Sequence, residues 1–220
     1  ESFRDWTHWR MRFETVRDKT TGKVLPGHPA TGLERVGNTR KRGTLVCFLP
    51  DDDIFEDTSF NGELVMRRLR ELAYLNKGLK IVFTDERAEA PHNQPRVFQY
   101  DGGIADYVGF LNAEKTALHD GIIMLEGSRD GLMMSAAIQF TDSYTESLFS
   151  YVNNIPTGEG GTHEVGFRAA LTKAFNDYAR KINALKEKDN NLSGEDYREG
   201  MTAVLTVKVM NPQFEGQTKG

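Results

Sequence analysis

Polar and apolar residues alternate in short stretches over the first hundred positions, and one longer segment has helical spacing. Residues 9–13 alternate apolar with charged side chains, which is the two-residue period of a half-buried strand. Residues 44–48 form a short apolar run that predicts a buried strand, and residues 79–84 and 96–100 predict a strand pair. Residues 61–76 predict a helix with one apolar face, formed by Val65, Leu69, Leu72 and Ala73.

The pattern changes after residue 101, where a short helical segment over 104–112 is followed by three strand-like runs. These runs cover 122–126, 132–140 and 146–152, and the short turns between them predict an antiparallel meander. The strongest helical pattern of the chain comes next, with Thr162 as its predicted N-cap. Its apolar stripe consists of Phe167, Ala170, Leu171, Ala174, Phe175, Tyr178 and Ile182.

The last elements are a brief helix and a strand. The run from Ser193 to Asp196 has the form of a capping box, and residues 201–209 predict a strand. Together the elements predict an α+β fold in two pieces: a partial mixed sheet with one helix, then a four-stranded sheet covered by the long helix. If the strands flanking that helix are parallel, the general rule makes their connection right-handed.

Composition restricts the possible functions only loosely. The 220 residues can bury a substantial core as one large domain or two small ones, and the ordinary apolar content predicts a soluble folded protein. A net charge of -4 does not indicate a nucleic-acid-binding protein, so any contact with DNA must be local. The single cysteine, Cys47, lies in an apolar run, where we expect it to be buried. No apolar run is long enough to span a bilayer and no signal peptide opens the sequence, which favours a cytosolic protein.

Three local clusters suggest chemistry, but each also has a structural interpretation. Residues 158–163 form a glycine-rich loop that enters a helix, yet they lack the ending of a P-loop, and we interpret them first as a turn and cap. Asp51, Asp52 and Asp53 are adjacent and cannot all face one ion in a strand or helix, so we predict no metal site. His163 has no serine or cysteine partner in a recognisable catalytic motif.

The loop at the end of the sequence carries the clearest functional signal. Residues 212–219 follow the last predicted strand and place Gln217 and Lys219 two positions apart on a polar, glycine-containing segment. A lysine on such a loop suits a phosphate group, because it supplies a positive charge with three donors. A frayed tail is the alternative interpretation of the same residues.

Several motifs in the same order resemble the ATPase subunits of bacterial type II topoisomerases. They are the Gln-Thr-Lys loop at 217–219 and further segments at 43–55, 68–78, 100–104, 153–156, 159–168 and 195–203. The resemblance implies that residues 1–101 are the C-terminal half of an ATP-binding domain. It implies that residues 102–220 are a truncated transducer domain with a ribosomal-protein-like fold, in which the βαβ crossover is left-handed.

The resemblance also assigns roles to individual residues. Thr44 matches a threonine that supports adenine recognition, and Lys219 matches a lysine that contacts the γ-phosphate, with Gln217 beside it. Arg168 matches an arginine that lines a cavity through which a DNA duplex passes. A generic surface arginine is the alternative for Arg168, which flanks the apolar stripe of its helix.

The cofactors and partners that the family implies belong to the intact protein. They are ATP and magnesium, a DNA duplex, the A subunit of gyrase or of topoisomerase IV, and a second copy of the chain that dimerises on ATP binding, with no membrane and a bacterial cytoplasmic setting. The family's catalytic glutamate, magnesium-binding asparagine and adenine-reading aspartate have no counterpart here. We therefore expect these 220 residues to bind neither cofactor and to be inactive alone.

Two further function classes remain possible from the sequence. The nearest is the second domain of a MutL-like ATPase of mismatch repair, which shares the two-domain plan. The other is a non-enzymatic module that binds RNA or protein through the ribosomal-protein-like fold. The Gly-Gly-Thr-His and Gln-Thr-Lys motifs together favour the topoisomerase.

Overall fold

The computed structural model describes residues 1–87 and 94–214 and has the predicted α+β class. Within those residues the helices are α1 (Gly62–Leu75), α2 (Ile104–Leu111), α3 (Thr162–Lys181) and α4 (Gly194–Arg198). The strands in the same ranges are β1 (Ser2–Arg4), β2 (Thr7–Arg10), β3 (Phe13–Arg17), β4 (Val24–Pro29), β5 (Glu34–Asn38), β6 (Gly43–Thr44), β7 (Ile81–Phe83), β8 (Arg96–Phe98), β9 (Ile123–Arg129), β10 (Leu132–Phe140), β11 (Ser147–Val152), β12 (Ile155–Pro156) and β13 (Met201–Lys208).

The chain divides into two compact units, Glu1–Asn61 and Gly62–Gly220. This division does not coincide with the domain boundary predicted at 101, because α1 shares a core with later elements. Tyr74 and Leu75 of α1 belong to the same buried cluster as Val108 of α2 and Val204 of β13. The assignment of 1–101 and 102–220 to two functional domains stays a prediction.

The first unit contains a sheet with the strand order β5-β2-β1-β6 and a hairpin of β3 with β4. The strand predicted over 9–13 is wrong in its bounds, since β2 ends at Arg10 and β3 begins at Phe13. The buried strand predicted over 44–48 is also wrong. Strand β6 ends at Thr44; Leu45 still exchanges two backbone hydrogen bonds with Glu1, and residues 45–49 are exposed. Cys47 in this segment is exposed, not buried as predicted.

The second unit contains a sheet that, among the described residues, has the strand order β12-β11-β13-β10-β9. The two-residue β12 is added to the four predicted strands. The predicted meander is correct only for β9 and β10, because β13 lies between β10 and β11, antiparallel to the first and parallel to the second. A nearly continuous apolar run explains this central position, since residues 201–205 are all buried. The left-handed crossover from β11 through α3 to β13 stays a prediction.

The two faces of this sheet are covered by different helices. Ala203 and Leu205 of β13 pack in one cluster with Phe167 of α3, whereas Val204 packs in another with Val108 of α2. This alternation is the two-residue period of a strand, and it makes β13 the centre of both cores. The sheet therefore connects the helix that carries Arg168 to the helices on the opposite face.

The helix ends confirm one predicted cap and correct another. Gly161, not Thr162, is the N-cap of α3 and makes no side-chain cap bond, so Thr162 is the first helical residue. Ser193 forms the predicted capping box of α4, accepting from the Asp196 backbone while the Asp196 carboxylate accepts from the Ser193 backbone. Among the described residues, no helix is long and apolar enough to cross a bilayer.

Candidate nucleotide and DNA sites

Thr44, the candidate adenine residue, lines a large cavity in the first unit. The cavity has a volume of about 1180 Å³, and its lining includes the apolar segment that follows Thr44. β6 is held by β1, which fixes Thr44 beside Leu45 and Val46 in that lining. A hydroxyl that can both donate and accept, beside apolar walls, suits a flat heterocycle with polar edges.

The three adjacent aspartates line the same cavity and approach one another closely. One carboxylate oxygen from each of Asp51, Asp52 and Asp53 lies within 4.8 Å of the others. Two of them have partners in the protein. Asp51 accepts from the Thr15 hydroxyl, which is the main cause of its lowered pKa, and from the Asp53 backbone, while Asp53 is ion-paired with Arg17. These bonds give the aspartates a role in shaping a turn, and the absence of a metal site stays a prediction.

Gln217 and Lys219, the candidate phosphate residues, lie outside the described residues. The strand that leads toward them, β13, ends at Lys208. Their predicted contact with a nucleotide is therefore argued below as a proposal.

Arg168 lies on the first half of α3 in a cluster of four charged side chains. Its Nε is 2.9 Å from a carboxylate oxygen of Glu146, and its Nη1 is 3.1 Å from one of Glu164. The other oxygen of Glu146 is 3.0 Å from Nε of Arg198 in α4. The side chain of Glu164 is only 9% exposed, whereas that of Arg168 is 36% exposed. Arg168 thus neutralises a buried carboxylate and still reaches solvent, and we call these four residues the α3 charge cluster.

A surface cavity of about 450 Å³ lies beside the α3 charge cluster. Its lining includes the cationic side chains of Arg168, Lys173 and Arg198. Sequence reasoning missed Arg198 and Glu146, which are 52 positions apart and meet only in the folded chain. The single local signal was the position of Arg198 at the end of α4, where a basic residue suits the helix dipole.

A chain of hydrogen bonds connects the glycine-rich loop to the α3 charge cluster. Ser150 donates to Glu164, the hydroxyls of Ser150 and Thr157 are 2.6 Å apart, and Nε2 of His163 is 3.0 Å from the Thr157 hydroxyl. Each hydroxyl has one proton, so Thr157 donates to Ser150 and His163 donates from Nε2. Burial lowers the pKa of His163, while the nearby Glu164 raises it less. The prediction of a turn and cap for residues 158–163 is confirmed, since a turn at 158–159 leads to Gly161, the N-cap of α3.

Comparison with known proteins gives consistent matches. The sequence model described as DNA gyrase B matches residues 103–220. The chain is 50% identical over 197 residues to the B subunit of DNA topoisomerase 4 from Enterococcus faecalis, covering 88% of this chain and 28% of that protein. It is 50% identical over 198 residues to the B subunit of DNA gyrase from Halalkalibacterium halodurans, covering 90% of this chain and 31% of that protein. The chain thus spans about three tenths of the length of these relatives.

Solved structures agree with these sequence matches. The 43K ATPase domain of Thermus thermophilus gyrase B, in complex with an aminocoumarin, superposes with a TM-score of 0.75 at 34% identity, covering 97% of this chain and 55% of that one. The topoisomerase IV ATP-binding domain of Francisella tularensis gives a TM-score of 0.69 at 25% identity, covering 97% of this chain and 57% of that one. The DNA gyrase B model matches more than half of this chain, and the fold is similar to that of a solved gyrase B ATPase domain. The chain therefore belongs to the DNA gyrase B family.

Proposed function

We propose that this chain is part of the ATP-hydrolysing subunit of a bacterial type II DNA topoisomerase, with gyrase as the principal assignment and topoisomerase IV as the alternative. The observation that carries the proposal is the family match over residues 103–220. The fold likeness to the ATPase domain of a gyrase B supports it over nearly the whole chain. In this proposal residues 1–101 belong to the ATP-binding domain and residues 102–220 to the transducer domain.

ATP binding is the first part of the proposal, and the described residues fit part of such a ligand. Thr44 would hold the adenine edge through its hydroxyl, with the apolar wall beside it excluding water. Bound ATP supplies a phosphoryl group for transfer to water. Lys219 would stabilise the charge that develops on that group, and Gln217 would assist it by hydrogen bonding. We assign no residue of this chain to magnesium.

DNA passage is the second part of the proposal. Arg168 would line the path of a DNA duplex, and Lys173 and Arg198 in the neighbouring cavity would add positive charge toward the phosphates. Because Arg168 already pairs with Glu146 and Glu164, its guanidinium is held in place before DNA arrives. Lys173 has only an exposed pair with Asp177 among the contacts described, which leaves it better able to turn toward a phosphate.

Coupling between the two parts requires further partners. We propose that the full-length protein acts with a separate DNA-cleaving chain, the A subunit of the topoisomerase, and that two copies of the full-length protein associate when ATP binds. In this arrangement the contact between Lys219 and the γ-phosphate holds the two domains in one orientation, and hydrolysis releases it. This role would place the protein in the bacterial cytoplasm, because its proposed substrate is chromosomal DNA.

Steady-state ATP hydrolysis by the full-length protein tests the phosphate site. We expect Lys219→Ala to lower kcat far more than it weakens nucleotide binding, because a charge on the γ-phosphate matters most in the transition state. Arg129, exposed at a strand end, offers a control: Arg129→Ala removes a positive charge elsewhere and should leave kcat unchanged. Equal losses of kcat and of nucleotide affinity in Lys219→Ala would contradict the assigned role.

A further inference from the structure

The Gly-Gly-Thr-His motif at 160–163, to which the proposed function assigns no role, places an imidazole against the start of α3. Gly161, the N-cap of α3, has a φ of +151°. A Cβ at Gly161 would lie 2.8 Å from Cε1 of His163, so a side chain at this position would displace the ring. The glycine therefore allows Nε2 of His163 to reach the Thr157 hydroxyl at 3.0 Å.

The Thr157 hydroxyl belongs to a chain of hydrogen bonds that ends at a carboxylate. Its oxygen is 2.6 Å from the Ser150 hydroxyl, and Ser150 donates to Oε1 of Glu164. Ser150, Thr157 and Glu164 are all buried, so water does not compete for these bonds. We call Ser150, Thr157 and His163 the hydroxyl relay.

His163 determines the direction in which the hydroxyl relay donates. Burial lowers the pKa of His163, so the ring is neutral near pH 7 and carries one N–H. With that N–H on Nε2, Thr157 must donate to Ser150. Ser150 then donates to Glu164, since its other acceptor, the Thr157 carbonyl, is 3.4 Å away. With Nε2 as an acceptor, Thr157 would donate its one proton to the imidazole, and the Thr157 oxygen would compete with Glu164 for the Ser150 proton.

Glu164 connects the hydroxyl relay to Arg168. Its Oε1 accepts from Ser150, and its Oε2 lies 3.1 Å from Nη1 of Arg168. A buried carboxylate with a donor on each oxygen is fixed in orientation and stays ionised, whereas the loss of one donor favours rotation or protonation. Glu146 holds Nε of Arg168 at 2.9 Å, and within the described residues Nη2 has no hydrogen-bond partner. Nη2 is thus the part of a fixed guanidinium that is left for a phosphate.

The α3 charge cluster consists of two arginines and two glutamates, so its contact with DNA depends on which donors face the phosphates rather than on net charge. We propose that Ser150, Thr157 and His163 are positioning residues for the contact between Arg168 and DNA: they fix the Glu164 carboxylate, which in turn orients the guanidinium. This inference rests on the proposed function, because it assigns the hydroxyl relay a role in orienting an arginine on the path of a duplex.

The number of linking-number changes for each ATP hydrolysed tests the inference, measured on plasmid DNA with the full-length protein and the A subunit proposed as its partner. We expect Ser150→Ala to lower this ratio on the order of tenfold, because a small displacement of a positioned group has effects of this size. A loss of folded protein lowers both rates together and leaves the ratio unchanged. Thr157→Val should also lower the ratio, and Thr157→Ser, which keeps the hydroxyl, should restore it.

Two further variants separate orientation from charge and from the loss of any hydroxyl. Glu164→Gln makes the α3 charge cluster more positive, so net charge alone predicts a ratio at least as high as that of the wild type. Positioning predicts a lower ratio, and a ratio as high as the wild type would overturn it. Thr206→Val is the matched control, since it removes a hydroxyl that donates to the Ser135 carbonyl elsewhere in the same sheet, and it should keep the wild-type ratio.

A double mutant shows whether the hydroxyl relay acts through Arg168. If it does, Ser150→Ala/Arg168→Gln should have the same ratio as Arg168→Gln alone, and multiplied losses would overturn the positioning role. A wild-type ratio in Ser150→Ala together with a lowered ratio in Arg168→Gln would overturn the positioning role alone. A wild-type ratio in Arg168→Gln would instead overturn the DNA contact of the proposed function, and the positioning role with it.

Nitrogen NMR of the full-length protein, isotopically labelled at histidine, reports the direction of the hydroxyl relay without any activity. The His163 signals, identified by their absence from the spectrum of His163→Gln, should be those of the Nε2–H tautomer. Signals of the Nδ1–H tautomer would overturn the inference.

Discussion

The α3 charge cluster gives a quantitative prediction for Arg168→Gln. The substitution removes a 3.1 Å contact to Glu164, whose side chain is 9% exposed, and a 2.9 Å contact to Glu146. A hydrogen bond to a charged group contributes about 1.5 to 3 kcal/mol, and removing one partner of a buried pair costs about 3 to 5 kcal/mol. Because Arg168 itself is 36% exposed, solvent screening reduces both values, and we expect a loss of about 2 kcal/mol.

Thermal unfolding of the purified chain, followed by circular dichroism at the helix band, measures this loss. For a chain of this size, about 2 kcal/mol corresponds to a Tm lower by roughly 4 to 8 °C. Lys173→Gln is the matched control on the same helix, since its partner Asp177 is exposed and the pair should contribute less than about 1 kcal/mol. Adding Glu164→Gln to Arg168→Gln should recover part of the loss, because no buried charge is then left unpaired. Equal Tm values for Arg168→Gln and Lys173→Gln would refute the argument.

Three other substitutions test separate parts of the structure. Gly200→Ala should destabilise the chain by about 2 to 5 kcal/mol in urea unfolding, because its φ is +70° and a Cβ there would collide with the Thr141 carbonyl oxygen; wild-type stability would contradict this. His163 has a lowered pKa in the folded chain, so its contribution to stability is present above pH 6.5 and is lost as the pH falls toward the folded pKa. The Tm of the wild type should therefore fall more than that of His163→Gln between about pH 7.5 and 5.5, and parallel curves would count against it. Thr44→Val in the full-length protein should weaken ATP binding about tenfold by calorimetry through loss of one hydrogen bond, and unchanged affinity would remove Thr44 from the site.

Helices were the most predictable part of this fold. α1 and α2 begin and end within a residue or two of the predicted bounds, because their apolar faces and the glycines beside them are local signals. The capping box at Ser193 was predictable for the same reason. The N-cap of α3 was not predictable in the same way. Thr162 is the residue type that is usual at an N-cap, but Gly161, which has a positive φ, occupies that position.

Strand order was less predictable than the strands themselves. β13 was recognised as a strand, yet its insertion between β10 and β11 depends on contacts far apart in sequence. Its nearly continuous apolar run was the available signal for a central strand. The burial predicted for Cys47 is wrong because an apolar run predicts burial only where other elements cover it, and residues 45–49 are exposed in this structure.

The candidate sites were also predictable only in part. Arg168 came from resemblance and lies in a defined cluster, but its partners Glu146 and Arg198 could not be found from local sequence. Resemblance to a family thus identifies residues such as Arg168 that have a counterpart in the family, whereas the side chains that bind them are identified only in the structure.

The most direct test of the proposed function is the linking number of plasmid DNA incubated with the full-length protein, the A subunit proposed as its partner, and ATP. The proposed function predicts topoisomers that change in steps of two and only when ATP is hydrolysed, because one duplex passes through another. Steps of one, or the same change without ATP, would contradict it.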